Sequence, residues 1–114
     1  MPSKAAVAAL QDILEHALLI KGFVEGFDID RFRQDRRTYF AVVRCLEIIS
    51  EASRRMDDEI KLRHPGLEWR AMAGSGNVYR HDYDNVTPDL VWRTATGRMD
   101  DLVSMAREEL SRTP

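Results

Sequence analysis

The chain has 114 residues, with 44% hydrophobic and 32% charged side chains, which excludes a disordered polymer and suits one packed core. Lys and Arg number 17 against 19 Asp and Glu, a net charge of −2, so no global positive field holds nucleic acid and any such contact must come from a local patch. The single cysteine, Cys45, excludes an internal disulfide, and no His/Cys cluster points to zinc, so neither a metal nor a cofactor is expected.

At the N-terminus Asp12, Glu15 and His16 interrupt every apolar run, leaving neither a signal peptide nor a membrane span and predicting a cytoplasmic protein. Leu10, Ile13, Leu14, Ala17, Leu18 and Val24 recur at helical intervals. They predict a first amphipathic helix that starts at an N-cap, Ser3, and loses regularity at Gly22 and Gly26. A second helix is expected from Asp28 or Asp30 to about Met56. Its apolar residues (Tyr39, Phe40, Val42, Val43, Leu46, Ile49 and Ala52, with Cys45 and Ile48) make a stripe wider than one packing face. Such a helix is either central to a bundle or part of a subunit interface, and Cys45 within it reads as a buried structural thiol. Met56 to Arg63 continues this helix or forms a separate turn, and His64-Pro65-Gly66 ends it.

A third helix follows from about Glu68 to Arg80, weakened at Gly74-Ser75-Gly76. Two glycines in one turn cost roughly 2 kcal/mol against alanine, which implies a kink, a helix start or a close approach of another backbone. Thr87-Pro88-Asp89 reads as a helix start, and Val91, Ala95, Met99, Leu102, Ala106 and Leu110 mark one face of a last helix. The fold class predicted is all-α: an antiparallel four-helix bundle with an extra short helix, one domain over residues 1–114. A helical protein this small buries only part of its apolar surface alone, so association of copies is expected.

The chemistry concentrates in Asn77-Val-Tyr-Arg80-His81-Asp-Tyr83. Asn77 and His81 are one helical turn apart and Arg80 stands beside them, so the three share a strip. An imidazole moves protons near neutral pH, a guanidinium grips phosphate by two bonds, and an amide orients either, which together suit a phosphodiester. The same spacing also describes a solvated helix end, with Tyr79 and Tyr83 packing at its rim. Upstream, Arg31, Arg33, Arg36 and Arg37 stand among Asp30 and Asp35. This is a solvated face with ion pairs or, more sharply, an RNA-contacting one through Arg36 and Arg37. Arg54 and Arg55 are weaker candidates because Asp57, Asp58 and Glu59 follow them.

Several separated blocks carry a family resemblance: Asp35-Arg-Arg-Thr, Leu46-Glu-Ile-Ile-Ser-Glu-Ala, Glu68-Trp-Arg-Ala-Met-Ala-Gly, Arg80-His-Asp-Tyr83 and Asp89-Leu-Val-Trp92. In this order, from about Ala9 to Leu110, the chain resembles the HepT-like group of HEPN domains. The resemblance implies a HEPN-like helical homodimer acting as a metal-independent endoribonuclease. It also implies a toxin of a type II/VII-like toxin–antitoxin pair whose antitoxin is an MntA-like nucleotidyltransferase. The family motif is an Arg, usually followed by Asn, then a His and a Tyr two beyond it. Asn77, His81 and Tyr83 match the last three. His81 is then general base or acid in attack of a ribose 2′-hydroxyl on the adjacent phosphate, at a cleft between protomers. Tyr83 is the candidate for adenylylation by the antitoxin. Gly76 occupies the position of the motif Arg and supplies no charge. Either Arg80 provides the cation, completing a catalytic set of His81, Arg80 and Asn77, or this chain is a non-catalytic dimeric HEPN protein that binds a partner protein or a nucleotide.

Overall fold

The computed structural model describes residues 2–81 and 86–112, and of His81 the backbone. Seven helices run through these residues: α1 (Lys4–Val24), α2 (Ile29–Gln34), α3 (Arg36–Arg54), α4 (Asp58–Arg63), α5 (Trp69–His81), α6 (Pro88–Gly97) and α7 (Met99–Ser111). The four longer ones, α1, α3, α5 and α7, make the bundle. Three short helices join them, where a single extra one was expected.

Local capping chemistry sets most of the boundaries. Ser3 caps α1 by accepting the Ala6 N–H at 3.1 Å, and Thr87 caps α6 by accepting the Leu90 N–H at 3.2 Å. Past the end of α1, Gly26 adopts φ 78°, a left-handed conformation that favours glycine. The expected single helix from Asp28 to Met56 is instead two. Asp28 caps α2, while Asp35 leaves helical geometry (φ −103°, ψ 89°) and its carboxylate accepts the Thr38 N–H at 3.0 Å. An aspartate that bonds nearby backbone competes with the helix, so the chain breaks there although the apolar spacing runs on. The bond to Thr38 N–H also holds the Asp35 carboxyl below its usual range. Met56 lies beyond the end of α3, and the stretch after it forms the separate α4. The last predicted helix likewise divides, at Gly97 and Arg98, into α6 and α7.

The long helices pack antiparallel. Arg55 at the end of α3 pairs with Asp12 of α1, and Asp57 takes both the N–H and the hydroxyl of Ser3 at 2.9 Å. Lys21 near the end of α1 bonds Asp100 at the start of α7. α3 therefore stands between α1 and α5, and its wide apolar stripe is largely used inside one chain. Val42, Val43, Cys45, Leu46, Ile49 and Ala52 are buried, and only Phe40 remains well exposed, at 54%. Burial raises the Cys45 thiol above its ordinary pKa, in keeping with a structural role. Phe32 of α2, fully buried, meets Trp92 of α6 with ring centroids 5.2 Å apart, and Arg33 clamps Asp89 across the same contact.

Candidate functional site

α5 presents the candidate site, and its register against α3 is marked by Gly76. A Cβ at Gly76 would lie 2.7 Å from Ser50 Oγ and 3.2 Å from Ser50 Cβ, closer than side chains approach. The helix is not interrupted there; α3 takes the space. Ser50 Oγ accepts the Gly76 N–H at 2.9 Å and donates to the Ala73 carbonyl at 3.2 Å, so one buried hydroxyl fastens the two helices. One turn along, Arg54 Nε donates to the same carbonyl at 2.8 Å.

On the outer flank of this seam Arg80 Nη2 donates to Asn77 Oδ1 at 3.1 Å. Its Nη1 comes within 3.4 Å of the place where a Gly76 Cβ would be. The guanidinium thus folds back by one turn over the residue that carries no side chain. Asn77 and Arg80 are both exposed, and among the described residues neither bonds a carboxylate. The backbone places His81 at the last position of α5, next to Arg80. Tyr83 lies outside the described residues. Tyr79 points the other way, half-buried against the core with its hydroxyl pushed up in pKa by burial, the packing role that spacing allowed.

Among the described residues no hydrogen bond joins Arg36 or Arg37 to Asn77 or Arg80. Arg36 and Arg37 sit at the first turn of α3, 14 and 13 residues from Ser50, roughly 20 Å along the axis. Arg36 lies 5.2 Å over the Phe40 ring, Arg31 lies 3.9 Å over Phe27, and Arg33 is spent on Asp30 and Asp89. The acids that lowered the standing of Arg54 turn elsewhere, since Asp57 serves Ser3. Arg54 faces α5 instead. Arg70, which sequence reasoning passed over, lies on α5 seven residues before Asn77 and is exposed. Its helical interval to Asn77 was the available signal.

Two other features flank the site without joining it. A groove of about 370 Å³ lies on the opposite flank of α5, walled by Leu46, Ile49, Met72, Val78, Leu90 and Leu102, and holds none of the polar candidates. Among the described residues the group with metal-ligand spacing is Asp12, Glu15 and His16 on α1. There Asp12 is taken by Arg55, and its carbonyl lies 2.7 Å from His16 Nδ1. No helix among the described residues is long and apolar enough to cross a membrane.

The fold is an all-helical bundle with Asn77 and Arg80 exposed on α5, and sequence comparison specifies the class of protein. The family model "Ribonuclease HepT-like" matches residues 13–109, so the chain belongs to the HepT-like ribonuclease family. It is 39% identical over 85 residues to the "Probable ribonuclease HepT" of Thermococcus cleftensis, covering 75% of this chain and 77% of that one. A Methanocaldococcus jannaschii protein named as an RNase is 33% identical over 93 residues, 82% of this chain and 85% of its own. Another named as an RNase, from Caldanaerobacter subterraneus subsp. tengcongensis, is 28% identical over 103 residues, 90% and 92% of the two chains. No solved structure matches the chain.

Proposed function

We propose that this protein is a metal-independent endoribonuclease in which Arg80 performs the task of the motif arginine that Gly76 lacks. Family membership supports the reaction class. The observation that carries the assignment is the Arg80 guanidinium, held by Asn77 Oδ1 and laid over Gly76. A guanidinium there meets a phosphate that reaches the end of α5 beside His81. In the reaction the ribose 2′-hydroxyl gives its proton to the imidazole of His81 as its oxygen attacks the neighbouring phosphorus. The 2′-O–P bond forms, the P–O5′ bond breaks, and a proton is returned to the departing 5′-oxygen. Arg80 stabilises charge on the non-bridging oxygens, and Asn77 holds the guanidinium in place.

The physiological setting proposed is a cytoplasmic homodimer with the two α5 strips opening on a shared cleft. It acts as the toxin of a type II/VII-like pair, restrained by an MntA-like nucleotidyltransferase antitoxin that adenylylates Tyr83. Phe40, exposed on α3, is one apolar anchor available to a second copy. Gly76 favours the other reading, a dimeric HEPN protein without catalysis that binds a partner protein or a nucleotide.

The test is incubation of the purified chain with RNA in the presence of EDTA. Wild type is expected to cleave, and His81→Ala to cleave at least about a hundredfold more slowly, the usual loss for a removed acid–base group. Intact RNA after prolonged incubation with wild type, or equal cleavage by His81→Ala, sinks the nuclease reading and leaves the binding one. Growth arrest on expression, relieved by His81→Ala, and an adenylyl mass shift on Tyr83 when a neighbouring nucleotidyltransferase is co-expressed, test the pairing.

A further inference from the structure

The cations of α5 extend beyond the residues of the motif. Arg70, Ala73, Asn77 and Arg80 recur at intervals of three and four, and so share one face of the helix. Arg54 reaches this face from α3, exposed and with its Nε tied to the Ala73 carbonyl, and among the described residues its two terminal nitrogens make no hydrogen bond. Three guanidiniums therefore stand in file along ten residues of α5, roughly 15 Å of helix, with Asn77 among them.

Among the described residues the file is not neutralised. Arg33, Arg44, Arg55, Arg63, Arg98 and Arg112 each pair with a carboxylate. Among the described residues no carboxylate pairs with Arg54, Arg70 or Arg80, and α5 itself contains no acidic residue. Arg31, Arg36, Arg37, Arg93 and Arg107 likewise pair with no carboxylate among the described residues, so what marks Arg54, Arg70 and Arg80 is that they meet on one face of α5 beside Asn77. Among the described residues the face offers no exposed aromatic ring, since Trp69 is buried and Tyr79 packs inward. It suits the backbone of a strand better than its bases.

We infer that Arg54 and Arg70 form a phosphate-binding subsite that carries a single RNA strand along α5, away from the cleavage position at Arg80 and His81. This rests on the ribonuclease reading for the identity of the ligand. One file of charge matches one backbone, whereas a duplex presents two. Arg54 takes the phosphate next along from the reacting one, and Arg70 one further out. The contacts are blind to sequence and act on capture of the strand, not on the bond-breaking step.

The experiment uses the full chain in a His81→Ala background, with fluorescence anisotropy of a labelled single-stranded RNA read between 50 and about 200 mM salt. Arg70→Ala and Arg54→Met are each expected to weaken binding about fivefold on RNAs of unrelated sequence, and to flatten the slope of log affinity against log salt by about 0.7, one phosphate contact on a single strand. Arg107→Ala, an exposed arginine of α7 outside the file, serves as the control and leaves both unchanged. With His81 restored, the same two substitutions raise KM several-fold and leave kcat alone. Arg54→Met also removes the bond to Ala73, so its thermal midpoint is measured alongside; Arg70 has no described partner to lose, and its variant decides the matter if the first unfolds.

If wild type cleaves but both variants keep the affinity and the salt slope, the subsite is wrong and the nuclease reading stands. If wild type binds RNA with an arginine-dependent slope yet cleaves nothing, the subsite stands and the nuclease reading fails. No binding by wild type overturns the subsite. A matched RNA duplex that binds as tightly as the single strand overturns the single-strand assignment.

Discussion

Two arginine-containing clusters of this protein do opposite things with their charge. At one end of the bundle Glu109 of α7, with 0% exposure, accepts from Arg63 Nε at 3.1 Å and Nη2 at 2.6 Å, and lies 2.7 Å from His64 Nε2. Among the described residues Arg80 of α5 bonds only the neutral amide of Asn77, and Arg54, facing it from α3, only a backbone carbonyl. The first cluster spends its cations on an internal carboxylate, pinning α4 and the turn after it to α7. The second keeps its cations available to an outside anion. Composition cannot distinguish them, because both are arginine with a histidine nearby. What separates them is the presence of a buried acid, and that depends on which helices meet.

Substitutions break this comparison in opposite directions. The largest effect expected is on the open cluster: Arg80→Ala slows RNA cleavage by about two to three decades, the equivalent of roughly 2–4 kcal/mol of lost transition-state stabilisation. Its urea midpoint stays close to wild type, because the bond to Asn77 is exposed; cleavage at the wild-type rate would show that Arg80 does not replace the missing motif arginine. Glu109→Gln does the reverse. It leaves Arg63 facing a neutral group and costs about 3 kcal/mol of unfolding free energy, read by urea titration, while the folded fraction cleaves normally. A loss under 0.5 kcal/mol, of the order seen for surface pairs, would mean the knot is ornamental.

Acid should expose the same contrast. Arg63, then His64, hold the Glu109 carboxyl down at about 2 against burial, from an ordinary value of 4.5. A carboxyl depressed in the folded state stabilises it above the unfolded value, and the contribution is lost as pH falls from about 4.5 towards 2. That is on the order of 2–3 kcal/mol, visible as a falling thermal midpoint across this window and absent from the Glu109→Gln protein. The smallest effect belongs to the seam beneath the open cluster. Gly76→Ala drives a methyl against Ser50, and displacing that hydroxyl outweighs the better helix propensity of alanine, for a net loss of about 1 kcal/mol in denaturant unfolding. A variant more stable than wild type would show that Ser50 rotates aside freely.

What was legible in the sequence is what local chemistry fixes. Ser3, Thr87 with Pro88, and Gly26 announce helix ends through bonds spanning three or four residues, so their effect is written beside them. Asp35 was harder to read, because its cap competes with an apolar period that continues through it. Asn77 and Arg80 were legible as neighbours on one helical strip, and the bond between them agrees, while the chemistry proposed for them comes from the family resemblance. The reason for Gly76 was not legible, since Ser50 lies 26 residues away. Nor was the standing of Arg54: the neighbouring acids looked like its partners, and Asp57 is instead committed to Ser3, 54 residues distant. The knot around Glu109 joins residues 45 and 46 apart and left no mark in any local pattern.

The contact between Ser50 and Gly76 also constrains how this protein can change. Placing an arginine at position 76 requires a Cβ 2.7 Å from Ser50 Oγ, and a side-chain stem beside the guanidinium that Arg80 already lays there. Restoring the family motif by that single substitution therefore harms the fold before it helps the site. Removing the obstacle first, by Ser50→Gly, clears both the Oγ and the Cβ, so Gly76→Arg is far better tolerated on that background than alone. Positions 50, 76 and 80 behave as one mutational unit: the value of each side chain depends on the other two, and the order in which they are replaced decides which intermediates survive.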